Sequence, residues 1–388
     1  MNFEFTEQQN SIQAAIARIC GEFDDAYWLE RDTDGEFPEA FVKAITAGGW
    51  LGIAMPEAYG GAGLGITETA IMAHTIARSG AGMSGASAVH LNLFGPNPIV
   101  VFGTEEQKQR LLPPLIQGQH RACFGVTEPD AGLNTTRLST RAVRDGDHYV
   151  INGRKLWTTT AQTANKILII ARTKPLADCA KPTEGLTLFY TDLDRERIEV
   201  RLIDKMGRKA VDSNALFIDD LAVPVVDRIG EEGDGWKCLL HGLNPERILI
   251  ASEAVGLGHA ALAKAAGYAR ERVVFDRSIG KNQGIQHPLA ENWMELEAAQ
   301  LMAFKAADLY DRGQACGAEA NAAKYLAAQA ALSACQRAVL THGGMGYARE
   351  YHVERYLREI MIPVIAPVSQ ELVKSFIAEQ VLGQEKSY

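Results

Sequence analysis

The chain has 388 residues, 47% of them hydrophobic and 22% charged, enough to bury two or three core regions in a large globular protein. A formal charge of -9, with no long block of lysine or arginine, argues against a nucleic-acid surface. Six cysteines (20, 123, 179, 238, 316 and 335) form no C-x-x-C pair, so neither a disulfide framework nor a zinc site is indicated, and reduced thiols in the cytoplasm are expected.

The first residues, "MNFEFTEQQNSIQ", carry no basic segment followed by an apolar run, and neither a secretory leader nor a membrane span is expected. From residue 6 to about 120, apolar residues recur three or four apart in "TEQQNSIQAAIARIC", "FPEAFVKAITAGGW", "ITETAIMAHTIARSG" and "GTEEQKQRLLPPLI", which predicts helices. Between them "EAYGGAGLG" reads as a loop, because its glycines miss the G-x-G-x-x-G spacing and no βαβ pattern surrounds them. From about 122 to 225 the pattern changes. "LSTRAVRDGDHYVINGRKLWTT" predicts two strands around an Asp145-Gly146 turn, and "KILIIART", "GLTLFYTD", "IEVRLI" and "ALFIDDLAVP" are short, β-branched and bounded by turn residues. Helices return after Gly235, over 245–273, 285–312, 318–342 and 369–382, with alanine-rich faces that predict a four-helix bundle. The expected fold class is α+β: a helical N-terminal domain (1–121), a β-barrel-like middle domain (122–225) and a C-terminal helical bundle (226–388).

Within "GLNPERILIASEAVG", residues 242–256, Asn244 suits a helix N-cap, Pro245 the first helical position and Glu246 the first turn, where the helix dipole favours a carboxylate. That local reading makes Glu246 a structural residue. No H-E-x-x-H, nucleophile elbow or P-loop appears, and the nine histidines show no ligand spacing. No metal is expected, and most histidines read as ordinary surface or core residues.

Five segments form a joint pattern: "CFGVTEPDAG" (123–132), "KLWTTTA" (155–161), "MGRKAVDSNALFIDDLAVP" (206–224), "YARERVVFDRSIGKNQGIQH" (268–287) and "THGGMGYAREYHVERYLREI" (341–360). Their order and spacing resemble the acyl-CoA dehydrogenase family over essentially the whole chain. The resemblance implies an FAD enzyme of α, β and α domains, a homotetramer built as a dimer of dimers. Such an enzyme oxidises an acyl-CoA thioester to its 2-enoyl-CoA and passes electrons to an electron-transfer flavoprotein. It implies that Phe124, Val126, Thr127 and Gly132 border the flavin, with a Pro- and Gly-rich turn freeing backbone N–H groups. Trp157 would cover the isoalloxazine and Thr159 would supply a hydroxyl. Arg272, Phe275 and Gln283 would meet the FAD pyrophosphate and its surroundings from an adjacent subunit, the forked guanidinium suiting a doubly charged group. Gly343 and Gly344 would let backbone approach the phosphate and adenosine side, and Ser369 and Glu371 complete the cofactor set.

Most members of that family carry the catalytic glutamate late in the chain, where this sequence has "IAPVSQE" (365–371) and Pro367 in the acid's place. The isovaleryl-CoA and long-chain members place the base on a helix directly before an arginine, and Glu246 followed by Arg247 matches that position. The resemblance thus turns Glu246 into the expected base, removing the α-proton while the β-hydride goes to flavin N5. Leu133, Asn244 and Arg247 match positions near the substrate. Three departures stand out: Pro367 lacks the N–H that would polarise the thioester carbonyl, Leu133 and Asn134 replace a serine and an aspartate, and Asp276 replaces a glycine. Two alternatives stay open, an oxidase using oxygen on the same scaffold and a non-catalytic protein binding FAD or a CoA thioester. A branched, cyclic or otherwise bulky acyl group is expected.

Overall fold

Thr6 and Gln9 cap the first helix reciprocally, each side chain accepting the other's backbone N–H. The structure, a computed structural model, describes residues 3–387. Among the described residues the N-terminal part has seven α-helices: α1 (Glu7–Cys20), α2 (Asp25–Asp34), α3 (Glu39–Ala47), α4 (Ile66–Ile76), α5 (Gly82–Phe94), α6 (Asn97–Phe102) and α7 (Glu105–Ile116). The chain kinks between α4 and α5, where Gly80 and Gly82 take φ of 102° and 62°. A Cβ on Gly82 would sit 2.5 Å from Glu359 Oε2, so only glycine lets that carboxylate approach. Glu359 accepts from the Ser84 N–H and hydroxyl and pairs with the buried Arg355, which donates to the Gly80 carbonyl. The kink is therefore stapled from the far end of the chain.

The middle part is one eight-stranded mixed sheet: β1 (Ala122–Gly125), β2 (Arg141–Asp145), β3 (His148–Thr159), β4 (Lys166–Arg172), β5 (Leu186–Asp192), β6 (Ile198–Leu202), β7 (Ser213–Pro224) and β8 (Arg228–Ile229). The order is β6-β7-β3-β2-β4-β5-β8, with β1 parallel to β4. β2 and β3 pair antiparallel around the Asp145-Gly146 turn, Gly146 having φ 62°. Between Lys155 and Thr158 the β3–β7 register slips, and Trp157 in this bulge has φ 61°. An irregularity of this kind re-aims a side chain, and the indole stands out of the sheet, 55% exposed.

The C-terminal part consists of α8 (Gly235–Glu271), a small hairpin β9 (Val273–Val274) and β10 (Arg277–Ser278), α9 (Gln283–Asp311), α10 (Gly317–His342) and the short α11 (Val353–Glu359), α12 (Met361–Ile365) and α13 (Gln370–Gln380). Alanines on α8, α9 and α10 form one buried core, with the shorter α13 packed on α10. α8 is the spine. Ile248 and Leu249 belong to the core of the N-terminal helices, Cys238 and Leu239 to the core under the sheet, and Ala251 to Ala265 to the bundle.

One expectation is corrected. The helix expected to start at Asn244–Pro245 starts at Gly235, and Pro245 lies inside it. Two segments, α8 and Val353–Gln380, are also long and apolar enough to cross a membrane by length and composition. The apolar window of α8 is 89% buried, as in a core helix, while the second stretch is broken into α11, α12 and α13.

Candidate active site

The first turns of α8 face α5, α6 and the sheet. Leu239, Gly242 and Leu243 join Phe94, Gly95 and Pro98 from the α5–α6 corner, and Phe124 and Leu168 from β1 and β4, around a small, narrow cavity. The lining is almost entirely apolar, which suits a hydrocarbon chain. One turn along α8 from Gly242 stands Glu246. It is half-buried and accepts no hydrogen bond among the described residues. Burial pushes its pKa up to about 7, against the pull of His90 and Arg247 and with a smaller push from Glu253. The helix-dipole stabilisation expected at this position is absent, because the helix terminus is about three turns away. Asn244 is likewise no cap; its Oδ1 accepts from Arg247 at 3.1 Å. Arg247 is half-buried and its Nε has no partner among the described residues.

Phe94 and Phe124, ring centroids 6.1 Å apart, link this cavity to β1 and the loop after it. That loop carries Val126 and Thr127, half-buried, and Gly132 and Leu133, exposed. It is anchored by a residue that the Pro and Gly pattern did not single out. Glu128 accepts from the N–H and hydroxyl of Ser139, the N–H of Thr140 and the ammonium of Lys155 at 2.9 Å. Burial alone would raise its pKa; the Lys155 charge and the hydrogen bonds outweigh it and hold the carboxyl at about 2. Lys155 sits on β3, fully buried, and burial draws it down to about 8 despite Glu128. Two residues further along β3, Trp157 projects outward and Thr159 is half-buried. The buried Arg208, from the segment before β7, ties Thr159 to α5 by donating to Thr159 Oγ1 at 3.5 Å, Ser213 Oγ at 3.3 Å and Ser87 Oγ at 3.1 Å. Arg208 lies within the 206–224 segment of the joint pattern, and only the tertiary structure gives it these partners.

The late segment packs on α10, whose Lys324 feels the charge of Arg247. Lys324 on α10, buried and held at about 8 by burial, donates to the Val368 carbonyl. Pro367 precedes it, and the Val368 N–H has no partner among the described residues. Ser369 caps α13 by accepting the Leu372 N–H at 3.2 Å, and Glu371 in its first turn is exposed.

The remaining sites expected from sequence lie elsewhere. Arg272 follows the C-terminus of α8, 26 residues past Glu246 or about 39 Å along the axis. Phe275 and Asp276 form the turn of the β9–β10 hairpin with φ of 51° and 60°, and Phe275 is 94% exposed. Aspartate tolerates this left-handed conformation better than most residues, which accounts for its standing where glycine was expected. Gln283 opens α9. Gly343, with φ 61°, ends α10 beside Gly344, and a Cβ on either would meet nothing within 4 Å. The stacked rings of Tyr268 and His342, centroids 4.3 Å apart, hold the ends of α8 and α10 together, so Arg272, Phe275, Asp276, Gln283, Gly343 and Gly344 share one end of the bundle.

The N-terminal, middle and C-terminal domain families of the acyl-CoA dehydrogenases match residues 6–119, 123–221 and 233–382. The chain belongs to the acyl-CoA dehydrogenase family. It is 35% identical over 396 residues to acyl-CoA dehydrogenase FadE12 of Mycobacterium tuberculosis, covering 100% of this chain and 99% of that one. It is 33% identical to the caffeyl-CoA reductase-Etf complex subunit CarC of Acetobacterium woodii, covering 97% and 99%. Butyryl-CoA dehydrogenase from Megasphaera elsdenii has the same fold, with a TM-score of 0.93 at 30% identity over 98% of this chain and 100% of that chain.

As an acyl-CoA dehydrogenase the protein is an oxidoreductase of acyl-CoA thioesters that uses FAD. Its residues suit that cofactor: the outward Trp157 offers a ring face, the buried Thr158 hydroxyl has no partner among the described residues, and Gly132 leaves open space where a side chain would stand. Among the described residues no cluster of His, Cys, Asp or Glu could hold a metal ion.

Proposed function

We propose that this acyl-CoA dehydrogenase converts an acyl-CoA with a branched, cyclic or otherwise bulky acyl group to its 2-enoyl-CoA, with Glu246 as the base. One observation carries the reading: a half-buried carboxylate without hydrogen bonds among the described residues, poised near neutrality beside an apolar cavity. A carboxylate tied up by donors would be a weak base; this one is free to accept a proton. FAD, when bound, supplies the acceptor for the β-hydride. Phe124, Val126, Thr127, Gly132, Trp157 and Thr159 would hold its flavin end, with Ser369 and Glu371 near the late segment.

Glu246 takes the α-proton onto a carboxylate oxygen. The apolar lining of Leu239, Gly242, Leu243 and Phe94 orients the acyl chain and excludes water. The unpartnered Val368 N–H is the donor we assign to the thioester carbonyl in place of the one that Pro367 lacks. Leu133, Asn244 and Arg247 border the substrate. Arg272, Phe275, Gln283, Gly343 and Gly344, at the opposite end of the bundle, serve the cofactor of a second copy of the chain, which supports a homotetramer assembled from dimers. Electron-transfer flavoprotein is the acceptor we infer, supported by the Etf complex that the CarC subunit belongs to. The six free cysteines support a cytoplasmic enzyme.

The test is anaerobic titration of holoenzyme and of Glu246→Gln with a panel of acyl-CoAs, following the visible flavin absorbance. Bleaching in the wild type and its loss in the variant by about 10²- to 10⁴-fold in rate is expected. Equal bleaching in both would move the base elsewhere, and a strong preference for straight four-carbon chains would overturn the substrate class.

A further inference from the structure

A second acid–base pair lies on the seam that holds Glu246. His90, on α5, places Nδ1 2.6 Å from Glu253 Oε1, and both side chains are buried. Glu253 is seven residues past Glu246 and therefore on the same face of α8. His90 is one turn from Phe94 on α5, their rings 4.8 Å apart, and Phe94 lines the cavity. The pair is incompletely satisfied: Glu253 Oε2 has no partner among the described residues, and His90 Nε2 makes no hydrogen bond among them. The charged groups that bear on Glu246 are His90 from α5 and Arg247 and Glu253 from α8. Those that bear on His90 are Glu253, Glu246 and Arg208, the last from the segment before β7.

A buried ion pair between two apolar helix faces adds little to stability compared with apolar side chains of the same size. Its presence beside a reactive carboxylate calls for another reason. We propose that the His90–Glu253 pair is a positioning device that keeps Glu246 in its proton-accepting form. An acyl chain that fills the cavity removes water from Glu246 and favours its neutral acid. A cation fixed on the neighbouring helix opposes that change without binding substrate. His90 supplies the cation only because Glu253 stands behind it: burial pulls the imidazole toward its neutral form, and the Glu253 carboxylate reverses the balance. This inference rests on Glu246 being the base.

The test uses holoenzyme and a 3-thiaacyl-CoA, which can lose its α-proton but cannot complete hydride transfer. The long-wavelength absorbance of the resulting enolate against oxidised flavin is titrated with pH. His90→Gln is expected to raise the midpoint by about one unit, equivalent to tenfold less deprotonation below the midpoint. Glu253→Gln is expected to raise it in the same direction, because the histidine loses its counter-charge, and the double variant no further than His90→Gln. His90→Lys restores a cation and brings the midpoint back toward the wild type. An unmoved midpoint in His90→Gln and Glu253→Gln, with only their stability lowered, would leave a structural staple and overturn the proposal, as would a His90→Lys midpoint equal to that of His90→Gln. Persistence of the band in Glu246→Gln would overturn the base assignment itself, whatever the His90 variants do.

Discussion

Under the loop after β1, Glu128 accepts from Ser139, Thr140 and Lys155, whereas in the α5–α8 seam Glu246 accepts from no group among the described residues. Both lose water on folding, yet one carboxyl is driven down to about 2 and the other up to about 7. Burial does not by itself decide what a carboxylate does. Where donors replace the lost water, the group becomes an anchor for the backbone; where they are missing, it stays available for proton transfer. The first kind shapes the loop after β1, and the second stands one turn along α8 from the apolar cavity.

The strongest way to break this contrast is Glu128→Gln. It strands the buried Lys155 ammonium and is expected to cost about 3–5 kcal/mol by denaturant unfolding. Because the folded carboxyl lies below its unfolded value near 4.5, its contribution is present above that value and lost as pH falls toward about 2. The gap between wild type and variant should therefore be widest at neutral pH and shrink in acid. A gap independent of pH between 2 and 5 would contradict the anchor role.

Glu246→Gln should act in the opposite direction. A carboxyl raised from near 4.5 to about 7 gives up stability as pH climbs through that window. The amide removes this penalty, so the variant is expected to be more stable by about 1–3 kcal/mol at pH 8 and unchanged near pH 4. Thermal unfolding at the two pH values reads the difference directly. Equal or lower stability at pH 8 would mean that Glu246 is better solvated than its surroundings indicate.

In the wild type, kcat/KM for flavin reduction should fall about tenfold per pH unit below about 7, since the base of the free enzyme must be ionised. A flat profile between pH 5 and 8 would separate Glu246 from the rate. The smallest effect is expected from Ser139→Ala, which removes one hydroxyl donor to Glu128 and leaves the two N–H donors and Lys155, for about 1 kcal/mol. A loss as large as that of Glu128→Gln would show that the hydroxyl, not the ion pair, carries the anchor.

Local chemistry in the sequence was enough for the three-part plan, the Asp145-Gly146 hairpin and the joint motif pattern, because periodicity, turn residues and caps act over a few positions. Local chemistry alone made Glu246 a structural residue, and it was the family resemblance that turned it into the expected base. The sequence could not place the start of α8. Asn244 and Pro245 have the chemistry of a helix start, but the preceding turn is held helical by packing of Leu239 and Leu243 against α5, α6 and the sheet, and the helix carries Pro245 in its interior. Nor could it find His90. Its partner is 163 residues away, and only the crossing of α5 and α8 makes one histidine of nine an ion-pair partner beside the candidate base. The same holds for the Glu128–Lys155 anchor, formed between a loop and a strand bulge. Sequence carries the residue types and their local order; which charges are buried, and whether anything replaces their water, is set by packing between distant segments.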